Sequence, residues 1–438
     1  MSKVRIGLMT GIVSAVMMIL AGCGAGTTGS TTATSSSGPL TVWIDAPRVS
    51  AVKAFEKAYP NIPIKVNMIS TTVTNSQLES QIRLFNQSGK GWPDILWFSA
   101  LSNIAWAASP SVNYAANLTN LVPKSLVNGY NRDAIAACQI NGQLRCLRND
   151  YAPDVLWYNA KLFQQWGYKP PTTWPQYEKL GLEIAKQHPG YYVGSVGSNV
   201  YDMFLWNSAC PAGTTLGPNN TTKIDLQSPN CTRMVNVLDP LISAGVLTKD
   251  ALFSTQMNAI GSKVVMTPGP TWFGVYEFQD SWHVPPGEIT AAPPLTWPGQ
   301  NLTGDFGGGL WVMSSHIKGK LQKDALKFLE FVATSPKNQV DFAPTFPAYG
   351  PDEQPWLQRN VINSKYFADP ASIVNAFKKS VSMVWPGRPY LLFSPDAIWN
   401  TTVAPALDRG ETLAQVWPTY QKALVNYAQE DGYHVSTK

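Results

Sequence analysis

The side chains able to do chemistry in this 438-residue chain are few and scattered. Four aspartates, Asp45, Asp150, Asp154 and Asp305, stand beside strand-like segments and turns. A glycoside hydrolase needs two carboxylates roughly 5 to 10 Å apart across a sugar, and sequence alone leaves that reading open. The four histidines, His188, His283, His316 and His434, fall in no ligand pattern, and the chain has no Cys-x-x-Cys pair. No metal site is therefore expected, and no cofactor is implied. Asp305-Phe306-Gly307 spells a kinase tripeptide without the catalytic loop or strand lysine that a kinase requires. Nucleophile elbows, phosphate loops and dinucleotide fingerprints are missing as well. Aromatic rings are the abundant resource: 16 Trp, 17 Tyr and 16 Phe, enough to fill cores and leave rings over for a ligand. One stretch, MTPGPTWFG at 266–274, sets Trp272 and Phe273 directly behind a Pro-Gly-Pro step. Proline fixes φ and glycine permits positive φ, so the stretch reads as a stiff surface turn presenting rings.

The N-terminus places these residues in a compartment. Lys3 and Arg5 precede an apolar run from 6 to 20, and Leu20-Ala21-Gly22-Cys23 follows. This is a signal-peptide layout with cysteine after the cleavage point, and it is too short for a confident membrane span. The four residues resemble a bacterial lipobox, which implies cleavage before Cys23 and lipidation of its thiol. Residues 24–38, nearly all Gly, Ser, Thr and Ala, cannot form a core and read as a flexible tether. The expected location is the outer face of the cytoplasmic membrane, reached through the lipid alone. Cys138, Cys146, Cys210 and Cys231 remain, an even number in an exported chain. Proximity favours the disulfides Cys138–Cys146 and Cys210–Cys231. The net charge of +5 is spread without a Lys/Arg cluster, so no nucleic-acid partner is expected.

The elements that must position the site follow from periodicity. About 400 residues beyond the tether are too many for one core and suit two lobes. Residues 40–44, 62–69 and 94–98 read as strands, with helices between them marked by Val49, Val52, Phe55 and Tyr59, then by Leu78, Ile82 and Phe85. Strand, helix, strand, helix, strand implies right-handed crossovers on a parallel sheet, with ligand beyond the carboxyl ends of the strands. That rim holds Trp43, Asp45, Arg48, Trp97, Phe98 and Ser99. Residues 155–159 read as another strand, and Thr173 as the N-cap of a helix with Pro175 in its first turn. A short strand is expected at 263–266, and helices at 321–333 and at the C-terminus.

The order of these stretches resembles the family 1 extracellular solute-binding proteins of ABC importers, in their maltose-binding-protein-like carbohydrate branch. LTVWIDA, VSAVKAFEKAYPNIPIKV, GWPDILWFSA, VLWYNAKLFQQWGYKPPTTWPQYEKL, IGSKVVMTPGPTWFGVY, GDFGGGLWVMSS, FPAYGP and ETLAQVWPTYQKAL carry it, over essentially the whole mature chain. The resemblance implies an α/β, periplasmic-binding-protein-like fold: two α/β lobes joined by a multi-strand hinge with a ligand cleft between them. Lobe 1 would be 39–150 plus 310–346, and lobe 2 would be 151–309 plus 347–438. Crossings would fall near 149–152, 307–309 and 346–349. It further implies a monomeric, non-enzymatic receptor that delivers a carbohydrate, an oligosaccharide, to an ABC permease. Polyamine or glycerol phosphate would be the alternative cargo. Trp272 matches the cleft aromatic of the sugar-binding branch, where an indole would pack on the C–H face of a pyranose. By the same resemblance, Asp45 and Arg48 would contact hydroxyls and Phe98 would stack on ligand. Asp150 and Tyr151 lie at the first crossing, and Trp206 in the aromatic-rich second lobe. Gly308 would admit a ligand close to the backbone or serve the hinge. Tyr349, Trp385 and Arg388 would stand at the last crossing and the loop beyond it.

Overall fold

In a computed structural model, residues 38–69, 76–215, 221–341, 343–387 and 393–437 are described. The signal peptide, Cys23, most of the tether and Arg388 lie outside them. The first sheet grows from the strands read in the sequence. Leu40–Ile44 pairs in parallel with Ile64–Met68 on one side and Ile95–Phe98 on the other. Helices Val49–Ala58 and Ser76–Ser88 provide the crossovers. The chain returns much later to complete this sheet. Leu310–Met313 runs antiparallel to Ile95–Phe98, and Leu147–Arg148 closes the edge. All four residues of Leu310–Met313 are buried, as a strand covered on both faces must be. Helix Gly319–Thr334 packs its buried Phe328 against Phe55 and Trp311.

A second sheet is centred on Asp154–Asn159, with Met266–Pro270 and Ile289–Ala292 antiparallel on either side. Its core gathers Trp157, Phe278, Phe367 and Phe377. Helix Trp174–Gln187 beside it starts as expected, with the Thr173 hydroxyl accepting from the Gln176 N–H. The C-terminal helix Leu413–Glu430 opens with a capping box formed by Thr412 and Gln415. Both disulfides are present, Cys138–Cys146 and Cys210–Cys231.

One expectation is overturned. The Pro-Gly-Pro step is no surface turn, and the strand does not lie at 263–266. Gly261–Lys263 forms a short 3-10 turn, and Met266–Pro270 is a strand buried along its full length. The reason is its position at the edge of the sheet. Pro268 and Pro270, two apart, lack their N–H groups on the same side of the strand, and an edge strand tolerates that loss. Gly269 is needed because the Phe273 ring folds back on it, so a Cβ there would stand 2.4 Å from ring carbon. The actual turn is Thr271–Trp272, one step later.

Three segments run side by side between the two sheets. The Asn149 N–H donates to the Gly309 carbonyl, Tyr151 N–H to Phe346, Phe306 N–H to Ala152, and Ala348 N–H to Asn149. Segments near 149–154, 304–309 and 346–348 thus form one hydrogen-bonded band, a multi-strand hinge.

Candidate functional site

The hinge band is locked by an ion pair that sequence reasoning did not find. Arg148 donates to Asp305 through Nη1 at 2.8 Å and Nη2 at 2.9 Å, and neither side chain is exposed at all. Its Nε also reaches the Asp150 carbonyl and Nη2 the Gly307 carbonyl, each at 2.9 Å. Asp305 Oδ1 accepts the Ala152 N–H at 3.2 Å. Two hinge segments are thereby tied to one guanidinium. The glycines explain themselves here. A Cβ on Gly308, at φ +81°, would stand 2.1 Å from Arg148 Nη2, and one on Gly309 would strike the Trp97 ring. The space beside Gly308 is therefore filled by the protein's own arginine.

Trp272 stands directly against this band. The Thr271 hydroxyl donates to the Tyr151 carbonyl at 3.1 Å, fixing the turn to one hinge segment. Its own indole N–H donates to the Phe306 carbonyl at 3.0 Å, fixing the ring to another. Phe273, Tyr276 and Phe306 meet the indole edge-on. The ring is half-buried, whereas Phe273 is fully buried. An indole held this firmly loses little freedom when a ligand packs on it.

Residues that follow the strands of the first sheet come near Tyr276, which itself meets Trp272 edge-on. Arg48 lies with its guanidinium 4.1 Å from the centre of the buried Trp97 ring and its Nη1 3.5 Å from Asp45 Oδ2. A pocket lined by Pro47, Arg48, Asn149, Trp311 and Thr345 is completed by Tyr276, which follows the second sheet. Side chains from both sheets therefore face one space. Tyr276 was not foreseen: it sits in a π-helical stretch, Gly274–Ser281, whose register carries no local pattern. Burial raises the Tyr276 phenol above its ordinary value. Arg48 opposes that rise, and Asp150, Asp45 and Asp280 add to it.

The remaining candidates fall in different places. Phe98, expected at the rim, is packed into the first core with 1% exposure, beside Trp106. Its side of the strand packs on helix Ser102–Ala108, where an apolar ring is worth more than at the rim. Asp150 is buried, its Oδ1 accepting from the Gly309 N–H and the Asn149 amide. Tyr151 is buried beneath the Arg148 guanidinium. Trp206 is buried too, stacked on Tyr201, with its indole N–H on the Trp385 carbonyl at 3.0 Å. Trp385 itself is half-buried. Tyr349 is half-buried and meets Tyr130 edge-on at 5.4 Å. The aspartates weighed for hydrolysis are poorly available. Asp305 is spent on Arg148, and Asp154 is buried with Oδ2 held by Asn207 at 2.6 Å. Burial raises the Asp154 carboxyl well above its ordinary range. Among the described residues no cluster of His, Cys, Asp and Glu is arranged to hold a metal ion. No helix there is long and apolar enough to cross a membrane.

Residues 44–340 match the model of the family described as bacterial extracellular solute-binding protein. Among curated proteins, none matches. Several solved structures share the fold. An ABC transporter-associated binding protein from B. animalis subsp. lactis Bl-04, in complex with beta-1,6-galactobiose, is 19% identical at a TM-score of 0.75, covering 91% of this chain and 99% of that one. The galacto-N-biose-/lacto-N-biose I-binding protein of an ABC transporter from Bifidobacterium longum, in complex with lacto-N-biose, is 18% identical at 0.73, with the same shares covered. A cyclic alpha-maltosyl-1,6-maltose binding protein from Arthrobacter globiformis is 16% identical at 0.67, covering 90% of this chain and 100% of that one. At such identities the likeness speaks for the two-lobed fold alone.

Proposed function

Since the chain belongs to the bacterial extracellular solute-binding protein family, we propose that it captures a carbohydrate, an oligosaccharide, between its lobes and delivers it to an ABC permease. The observation that carries this reading is Trp272, a half-buried indole pinned by its own N–H and its neighbour's hydroxyl to two hinge segments. A pyranose packs its C–H face on such a ring. Arg48, oriented by Trp97 and Asp45, offers several donors to the hydroxyl rim. Closing the lobes brings Tyr276 and Arg48 to the same ligand, as hinge motions do. In this reading lobe 1 comprises 39–150 and 310–346, and lobe 2 comprises 151–309 and 347–438. The protein acts as a monomer, performs no catalysis, and is held outside the cell by a lipid on Cys23 and the tether behind it. The sugar-binding relatives of the same fold support the ligand class.

A second reading keeps the receptor and changes the cargo. Asp45 stands beside Arg48 at this site, and a carboxylate there is what a basic solute such as a polyamine would need. Tryptophan fluorescence of tether-free protein, titrated with mono- and oligosaccharides, polyamines and glycerol phosphate, separates the two. A saturable response to one sugar family, blunted in Trp272→Ala and with the sugar recovered intact, is expected. Response to polyamines alone would replace the ligand class, and cleaved sugar would make the protein an enzyme.

A further inference from the structure

Phe253 is left at the surface, 53% exposed, although its neighbours on both sides are fixed. Leu252 is buried, and its N–H donates to the Ser198 hydroxyl at 3.0 Å. Ser254 caps helix Thr255–Ile260, its hydroxyl accepting from Met257 N–H at 3.1 Å. The loop is thus rigid, and the ring it presents is held outward. Scattered exposed apolar side chains are ordinary. This one is set apart by what it lies against: its ring runs nearly parallel to that of Trp272, at 25° and 6.2 Å between centroids. The other described rings against Trp272 meet it steeply, at 63° to 70°, and pack its edges. Among the described residues Phe253 alone lies nearly parallel to the indole, and it is the most exposed member of the group.

We propose that Phe253 is a second stacking platform, which makes the ligand at least two sugar rings long and sets the preferred chain length. This rests on the carbohydrate reading of the Trp272 site. One pyranose packs on the indole, and the next falls on the phenyl. A phenyl ring donates and accepts no strong hydrogen bond, so Phe253 selects for ring number and for an available C–H face. Discrimination among hydroxyl configurations belongs to Arg48 and the polar groups near it.

The test is calorimetric titration of wild type, Phe253→Ala, Phe253→Tyr and Trp272→Ala. The probes are two series of one to four rings, maltooligosaccharides and β-1,6-galactooligosaccharides. In the series that wild type binds, Phe253→Ala is expected to weaken the longer sugars about tenfold. The one-ring sugar, which reaches Trp272 alone, should stay within about twofold, and Phe253→Tyr should keep the wild-type ladder. Trp272→Ala should weaken every length. Unchanged melting temperature in Phe253→Ala confirms that the exposed site was altered without unfolding. Equal weakening at all lengths, or none, while wild type binds would overturn the second platform and leave the receptor reading intact. Wild type that binds no member of either series, yet responds to a polyamine, would remove the premise along with the inference.

Discussion

Replacing Asp305 with alanine should be among the most damaging single changes in the molecule. The side chain accepts two charge-assisted hydrogen bonds from Arg148, at 2.8 and 2.9 Å, and one from the Ala152 N–H at 3.2 Å. Both partners are 0% exposed, so water cannot replace what is lost. In Asp305→Ala the guanidinium remains buried with only the Asp150 and Gly307 carbonyls as partners. Breaking a buried pair on one side costs about 3 to 5 kcal/mol, most of it from the charge left uncompensated. The pair's intrinsic worth is smaller, because both ions gave up hydration to form it. Arg148→Met combined with Asp305→Leu removes the charge altogether. It strands two carbonyls and one N–H, at about 1 to 3 kcal/mol for each group that finds no partner. The double variant leaves no buried charge, so it should cost less than the sum of Arg148→Met and Asp305→Leu made separately. Urea unfolding at neutral pH, followed by tryptophan fluorescence and by far-ultraviolet circular dichroism, measures wild type, Asp305→Ala, the double variant and its two single components. Coincident transitions would justify a single free energy for a chain of two lobes. A loss below about 1 kcal/mol in Asp305→Ala, or costs of Arg148→Met and Asp305→Leu that simply add in the double, would show that the uncompensated charge is not what matters.

Other consequences follow from the same physics. Gly308→Ala places a methyl group 2.1 Å from Arg148 Nη2 at φ +81°, so it should destabilise by more than the roughly 1 kcal/mol of left-handed strain alone, read as a fall in urea midpoint. Cys210–Cys231 spans 21 residues, so the double serine variant should lose about 3 kcal/mol by the chain-entropy relation, and the eight-residue Cys138–Cys146 pair somewhat less. Glu277 is 3% exposed, and burial, followed by the charge of Asp280, raises its carboxyl from 4.5 to about 8. The folded chain therefore holds a proton that the unfolded chain releases between those values, and stability falls as pH rises through that window, by at most about 1.4 kcal/mol per unit. Glu277→Gln cannot ionise, so its advantage over wild type should grow between pH 5 and pH 8 and vanish below 4.5. Thermal melts that stay parallel across this range would contradict the assignment.

What the sequence made visible was whatever depends on local pattern. The strands at 40–44 and 95–98, the Thr173 cap and the closing helix each announce themselves through period or capping chemistry. Pro-Gly-Pro misled because proline signals a turn locally, while its tolerance at a sheet edge is a tertiary fact. Phe98 and Trp97 are neighbours on one strand, and no single sequence tells which ring packs on helix Ser102–Ala108 and which supports Arg48. Arg148 and Asp305 lie 157 positions apart, and nothing near either residue names the other. Tyr276 and Phe253 were missed for a related reason. One sits in a π-helical stretch that breaks the usual helical period, and the other is a lone ring in a loop. Trp272 drew notice through its odd neighbours, although those neighbours turned out to form a strand.

The most direct test of the account is a crystal structure of the tether-free protein grown with the oligosaccharide that gives the strongest fluorescence response. A sugar between the lobes is expected, with the C–H face of one ring on Trp272 and hydroxyls within hydrogen-bonding reach of Arg48. A sugar bound elsewhere on the molecule, with the Trp272 face empty, would contradict it.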